Sequence, residues 1–300
     1  MVSRANVESR GRAMPDRDGY PPGVPCWVDT SQPDPDAAGD FYGGLFGWEL
    51  EDAMPPGSDG KYLMARIRGR YVAAISSPFQ GPSPMAVWNT YVCVDSADEA
   101  AAKVRDAGGQ VVMEPFDVME AGRMAVFADL EGAVFSVWQA KEHKGAQVVN
   151  EHGSVNFNNL NSRDVERAKA FYGAVFGWET LELGPSNAMW RLAGYGDHLE
   201  ERNPGLRAGM AEMGAPPGFE DVVAALNPIA EDQAEVVPHW SVTFGVDDAE
   251  ATAERAAELG AELVVPPMDA PWVRMTVIRD PQGATFIASQ FVPENRELSG

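Results

Sequence analysis

The sequence predicts an α+β protein built as a tandem duplication, each half made of two strand–helix–strand–strand–strand (βαβββ) units. Three observations carry this reading. Residues 41–49 read Phe-Tyr-Gly-Gly-Leu-Phe-Gly-Trp-Glu and residues 171–179 read Phe-Tyr-Gly-Ala-Val-Phe-Gly-Trp-Glu, seven of nine identical at an offset of 130. Later landmarks recur in the same order, Val94-Asp95 with Val246-Asp247 and Arg123-Met124 with Arg274-Met275. The apolar spacing alternates between helical and strand periods in the same sequence in both halves.

The elements follow in order. Residues 24–31 read as a strand feeding a helix that Asp34 caps and Pro35 opens, with Gly47 as the left-handed stop. Ala38, Phe41, Tyr42 and Leu45 keep the i, i+3, i+4, i+7 rule, as do Ala168, Phe171, Tyr172 and Val175 before Gly177. Strands are expected after Trp48, at 61–68 and at 70–77. A Pro/Gly-rich break at 78–84 precedes the second unit: strand 87–94, a helix from Ser96 with the Ser-x-x-Glu99 capping box, and strands at 110–114, 123–128 and 133–138. The second half offers strand 155–160, helix 164–176, strands near Glu179, Met189 and Ala208, strand 241–246, helix 248–259, and strands near Glu262, Arg274 and Thr285. The predicted layout is an N-terminal tail (1–23), a first domain (24–143), a linker (144–153), a second domain (154–293) and a C-terminal tail (294–300). Trp48 to Trp88 spans 40 residues but Trp178 to Trp240 spans 62, so the second domain carries about 22 extra residues near 196–237. Surface insertions of that length are often functional.

Composition bounds the function. A formal charge of −22 argues against a nucleic-acid partner, whose phosphates need a basic face. No apolar run approaches the length of a membrane span, and residues 1–20 hold no apolar signal segment. Cys26 and Cys93 are the only cysteines, which points to a reducing, cytoplasmic setting without a disulfide framework. There is no Gly-x-Ser-x-Gly and no phosphate-binding glycine loop.

Paired units with Phe-Tyr-x-x-x-Phe-Gly-Trp at the helix end resemble the vicinal oxygen chelate superfamily of glyoxalases, bleomycin-resistance proteins and dioxygenases. Pro25–Trp27, Gly122–Asp129 and Gly132–Gln139 resemble its actinobacterial tandem subgroup most. The resemblance implies tandem glyoxalase-like domains, each curling one mixed sheet into a cup that holds the ligand. It also implies where metal-dependent members place their His, Gln or Glu ligands. Those places hold Trp27 and Phe157, Asn89 and Ser241, Ser136 and Ile287, and apolar residues at 72–74 and 208–210. None is a strong divalent-cation ligand, so no metal and no other cofactor is expected. Of the four histidines, His143 and His152 fall at the linker and His198 in the insertion; only His239 opens a strand.

Strand alternation puts Trp27, Asp29 and Ser31 on one face, Phe157, Asn159 and Asn161 on the matching face, and Asn89 with Tyr91, or Ser136 with Trp138, on others. Such aromatic walls with a few amide, hydroxyl and carboxylate groups suit a flat, largely apolar ligand, although a cup closed by its own side chains would need the same residues. The ligand-binding candidates are therefore Trp27, Asp29, Asn89, Tyr91, Ser136, Trp138, Phe157, Asn159, His239 and Ser241. Asp29, Tyr91 and His239 are the candidates for proton transfer. The expected function is metal-independent binding of a hydrophobic or aromatic small molecule, with a resistance, sequestration or biosynthetic accessory role. The alternative is a metal-independent isomerase, cyclase, lyase or hydrolase acting on such a compound. The expected assembly is a monomer with internal pseudo-symmetry or a homodimer.

Overall fold

Local chemistry sets the helix ends as the sequence predicts. In the computed structural model, which describes residues 16–78, 86–184 and 187–298, the Asp34 carboxylate accepts the backbone N–H groups of Asp36 and Ala37. Gly47 closes the same helix at φ 71°. Asp164 and Gly177 (φ 73°) repeat the arrangement in the second half, and Ser96 and Asp248 cap the other two predicted helices. A left-handed C-terminal residue favours glycine because no Cβ meets the preceding carbonyl.

The first half runs β1 (Pro25–Ser31), α1 (Pro35–Phe46), β2 (Glu49–Asp52), β3 (Tyr62–Ile67), β4 (Arg70–Ser76), β5 (Val87–Cys93), α2 (Ala97–Asp106), β6 (Gln110–Val118), β7 (Gly122–Ala128) and β8 (Val134–Ala140). The second half runs β9 (Val155–Ser162), α3 (Val165–Phe176), β10 (Glu179–Gly184), β11 (Asn187–Arg191), α4 (Tyr195–Arg202), α5 (Leu206–Met213), β12 (Val222–Pro228), β13 (His239–Gly245), α6 (Ala249–Glu258), β14 (Glu262–Ala270), β15 (Val273–Arg279) and β16 (Thr285–Phe291). Each half forms one eight-stranded mixed sheet, ordered β2-β3-β4-β1-β5-β8-β7-β6 and β10-β11-β12-β9-β13-β16-β15-β14. The two βαβββ units meet at β1 and β5, or β9 and β13, which run antiparallel.

Three expectations are corrected. The strand expected near Ala208 is the helix α5, whose backbone is rich in helix formers and whose first N–H groups, at Gly205 and Arg207, are accepted by the Glu200 carboxylate. The missing strand is β12, formed by the Val-Val-Ala-Ala-Leu run, so the stretch 196–237 is not one insertion. Its extra length divides into α4, α5 and a 3-10 turn (Phe219–Asp221) before β12 and a loop after it. The end of the expected N-terminal tail is packed rather than free: Arg17 Nη1 donates to the Tyr195 hydroxyl (2.7 Å), and the Tyr20 hydroxyl donates to Ala146 O (2.7 Å). Residues 1–15 and most of the 78–84 break lie outside the described residues.

The third correction concerns the division into a first domain (24–143) and a second (154–293): the two halves share their cores. One core joins α1, β3 and β4 of the first half to β13, α6, β15 and β16 of the second. The other joins β5, α2, β7 and β8 to β9, α3, β11 and β12. The repeated Phe-Tyr-Gly/Phe-Gly-Trp motif makes the joints. Tyr42 donates to Asp280 Oδ2 in the other half (2.8 Å) and accepts from Trp88 Nε1 (3.0 Å). Tyr172 donates to Asp129 Oδ2 (3.0 Å) and accepts from Trp240 Nε1 (2.8 Å). Trp48 Nε1 reaches Gly153 O (2.8 Å) and Trp178 Nε1 reaches Gly23 O (2.7 Å), again across the halves.

Tyr172→Phe should leave the buried Trp240 N–H without an acceptor and Asp129 Oδ2 without its donor. Each orphaned group costs about 1–3 kcal/mol, so urea unfolding should register a loss of about 2–4 kcal/mol. Tyr42→Phe should lose less, because Gln32 Nε2 still donates to Asp280 Oδ2 (2.7 Å). Losses within error of zero would refute the joint as a stabilising element, and equal losses would refute the compensation by Gln32.

Candidate functional site

The faces of the two sheets that point away from the shared cores form two cups. In the first, β1 presents Trp27, Asp29 and Ser31. Trp27 lies opposite Tyr91 on β5, and Asp29 lies opposite Asn89 on β5 and Ala74 on β4. Tyr91 in turn lies opposite Ser136 on β8, and Cys93 opposite Trp138. The second cup repeats this register. Phe157 faces Thr243, which faces Ile287, and Asn159 faces Ser241 and Ala225. Ala225, not a residue of 208–210, is thus the counterpart of Ala74.

In the first cup Asp29 is 2% exposed and fully engaged. Its Oδ2 accepts from the hydroxyls of Tyr91 (2.8 Å) and Tyr62 (3.1 Å), and its Oδ1 accepts from Asn89 Nδ2 (2.8 Å). Trp27 Nε1 donates to the Tyr62 hydroxyl (3.0 Å), which makes the array continuous. Burial raises the Asp29 pKa, and its three hydrogen bonds only oppose that rise. Burial and the neighbouring Asp29 charge push both tyrosines well above their ordinary range.

The mouth of this cup is closed by the chain that follows β8. The His143 imidazole stands edge-on to Trp27 (centroids 4.4 Å), Trp138 (5.7 Å) and Tyr71 (5.8 Å). Its carbonyl accepts from Trp138 Nε1 (2.8 Å). Its Nε2 is buried and has no hydrogen-bond partner, and burial lowers its pKa to about 4, so the ring is neutral. Ala146 N donates to Cys26 O (2.8 Å), binding the same strap to β1.

The second cup is open by comparison. Phe157, Asn161, Ser241, Met275, Ile287 and Ser289 are all half-buried. Its polar groups are neutral: Asn159 Nδ2 donates to Thr243 Oγ1 (2.9 Å), and Asn161 Nδ2 donates to Ser241 Oγ (3.1 Å). His239 is exposed at the Asn161 end, its Nδ1 bonded to Val237 O (2.8 Å). At the opposite end, where Phe157 lies, the α4–α5 segment runs toward the β14–β15 turn. It leaves from β11, and a Cβ at Gly214, the C-cap of α5, would stand 3.7 Å from Trp272 in the β14–β15 turn. In the first sheet that end is the one the His143 strap closes.

The proton-transfer candidates do not form one site. Asp29 and Tyr91 are bonded in the first cup, while His239 belongs to the rim of the second. Tyr62 and Thr243, which complete the two networks, were missed by the sequence reading. Alternation pairs Tyr62 with Met64, but nothing local says which face turns toward the cup. His143 was set aside as linker.

Neither cup fits the metal of metal-dependent relatives. At the positions where such relatives hold their ligands, the first offers no carboxylate beyond the neighbouring Asp29, both of whose oxygens are already committed, and the second offers Phe157, Ser241, Ile287 and Ala225. Among the described residues no group of three or more His, Cys, Asp or Glu gathers where it could hold an ion.

Comparison with known proteins places the chain. Residues 27–137 and 154–287 match the Glyoxalase/Bleomycin resistance protein/Dioxygenase superfamily. A Mycobacterium tuberculosis protein named as a glyoxylase, CFP32, is 40% identical over 285 residues, covering 94% of this chain and all of its own. The anthracycline biosynthesis protein DauV of Streptomyces sp. (strain C5) is 35% identical over 283 residues, covering 89% and 93%. Among solved structures, the Mn(II)-bound glyoxalase from Novosphingobium aromaticivorans superposes with a TM-score of 0.56 at 18% identity over 90% of this chain and 82% of its own. The 2,3-dioxygenase LapB from Pseudomonas sp. KL28 gives 0.56 at 12% identity over 93% of both chains. These last two likenesses are of fold alone. On the family match and the 35–40% identities, this chain belongs to the Glyoxalase/Bleomycin resistance protein/Dioxygenase superfamily.

Proposed function

We propose that this protein is a metal-independent binder of a flat, hydrophobic aromatic molecule, and that the second cup is its working site. One observation carries the choice of cup: Phe157, Ser241 and Ile287 are half-buried, whereas Trp27 and Asp29 in the first cup are 4% and 2% exposed. An apolar wall with a few neutral hydrogen-bonding groups selects a ring system bearing hydroxyl or carbonyl groups. The 35% identity to anthracycline biosynthesis proteins favours a polycyclic aromatic natural product. The role is then sequestration or an accessory step of biosynthesis, in the cytoplasm, by a monomer whose internal pseudo-symmetry buries the apolar faces a dimer would otherwise cover. The rival reading, a metal-independent isomerase, cyclase, lyase or hydrolase, draws on the relatives named as glyoxylases. It needs a titratable group at the ligand, and of the three proton-transfer candidates only His239, at the rim, belongs to the second cup.

Titration with 1,8-dihydroxyanthraquinone, followed by its fluorescence, tests the site. Phe157→Ala should remove stacking and buried area worth roughly 2 kcal/mol, weakening binding at least tenfold. Trp27→Ala should leave affinity intact and instead cost about 3–5 kcal/mol of stability, as an emptied core position does. The reverse pattern would move the site to the first cup. Replacing residues 195–214 with a short Gly/Ser loop, which spares β12, should likewise weaken binding more than folding. Recovery of the probe unchanged after stoichiometric uptake supports a binder; consumption of many equivalents supports the enzyme.

Metal independence makes a separate prediction. Protein dialysed against EDTA should carry well under one transition-metal ion per chain by elemental analysis and bind the probe with unaltered affinity. A tightly held ion, lost on mutating cup residues together with binding, would overturn it.

A further inference from the structure

The first cup contains a buried carboxylate that no cation balances. Asp29 receives three neutral donors, and among the described residues no Lys or Arg forms an ion pair with it. Directly linked to it through Tyr62 is Trp27, which with Tyr71 and Trp138 makes a three-sided aromatic cage. The cage is occupied by a side chain that suits it poorly. The His143 ring is neutral, and its buried Nε2 finds no partner among those rings. Packed interiors rarely leave a polar nitrogen in that state without a reason.

The strap that delivers the ring is itself well made. Gln147 N donates to Tyr71 O (2.7 Å), Gln147 Oε1 accepts from Tyr71 N (3.0 Å), and Tyr20 holds Ala146. Gly145, at φ 98°, passes so close to β1 that a Cβ would fall 2.5 Å from Cys26 O. The anchoring is therefore in the strap backbone and not in the imidazole. A ring can leave the cage while the strap stays.

We infer that the first cup is a site for a protonated organic amine, and that His143 is a built-in occupant which such a ligand displaces. Aromatic faces attract a cation through their quadrupoles, most strongly when it is shielded from water. The buried Asp29 carboxyl, joined to the cage through the Tyr62 hydroxyl, favours a cation over a neutral isostere. The acidic surface, −22 overall, raises the local concentration of cations. Arg66, stacked on Tyr71 at 4.7 Å, is held by Glu51 (2.8 Å) and the Tyr71 hydroxyl (2.9 Å), so that guanidinium is already committed. This site is independent of the second cup and of the ligand proposed there.

The probes are tyramine, an aryl-alkyl ammonium, and its neutral relative 4-ethylphenol, titrated calorimetrically into the full chain. His143→Gly should bind tyramine at least tenfold more tightly than the wild type, with no comparable gain for 4-ethylphenol. Adding Asp29→Asn to that variant should abolish the gain, and free imidazole should compete for the vacated cage. Phe157→Ala should leave the gain untouched, which separates this site from the second cup. No gain in His143→Gly, or an equal gain for both probes, overturns the proposal. If His143→Gly does not fold, the wild type decides. Saturating tyramine should shift the His143 ring-proton resonances where 4-ethylphenol does not, and unmoved resonances would also refute it.

Discussion

The hydrogen bond from Tyr172 to Asp129, with its twin from Tyr42 to Asp280, is the constraint on which the rest of the architecture depends. Each carboxylate is shaped by its own half: Oδ1 of Asp129 accepts the backbone N–H groups of Glu131 and Ala133, and Oδ1 of Asp280 accepts those of Gln282 and Ala284. Each tyrosine comes from the other half. A buried carboxylate is tolerable only when its acceptor capacity is met, so neither turn is satisfied until both copies dock. The helices then lie between the sheets, and the opposite sheet faces are left as the two cups.

Pseudo-symmetry ends at those cups, and it ends at the same place in both. The end of the first sheet marked by Trp27 and Trp138 is closed by the strap carrying His143. The corresponding end of the second, marked by Phe157 and Ser289, has α4 and α5 running toward the β14–β15 turn instead. The interiors diverged along with the covers: Asp29, Tyr91 and Trp138 became Asn159, Thr243 and Ser289. One cup thus keeps a buried carboxyl under an aromatic plug, and the other keeps neutral amides among half-buried walls. A duplicated scaffold held rigid by the reciprocal joints can carry two such sites without either distorting the other.

The repeat, the helix caps and the alternation of β1 and β9 were legible because each is written within a dozen residues. Asp34, Ser96, Asp164 and Asp248 cap helices whatever the tertiary context, and Trp27 with Asp29 must share a face in any strand. What the motif residues do was not legible. Phe41 and Tyr42 read as one apolar helix face and Trp48 as a landmark, and nothing local says that Tyr42 and Trp48 have partners more than a hundred residues away. The helix α5 was not legible because the first half has no counterpart of α4 and α5 between its third and fourth strands. His143 was invisible as a site residue because a linker histidine acquires its meaning only from the strap's return over β1.

Acidity acts on the first cup through two groups of opposite sign. His143 has a folded pKa of about 4, below the ordinary 6.5, so between those values the unfolded chain binds the extra proton. Its contribution is present above pH 6.5 and is lost as pH falls toward 4, at most about 3 kcal/mol at 1.36 kcal/mol per unit. Asp29 is raised by burial, so the folded state holds its proton more readily than the unfolded chain, and acid favours the fold there. Acidification therefore works against the imidazole in its cage while relieving the desolvated carboxylate beneath it. The two shifts thus oppose each other in acid: the imidazole in its cage loses stability as the pH falls toward 4, while the desolvated Asp29 beneath it gains.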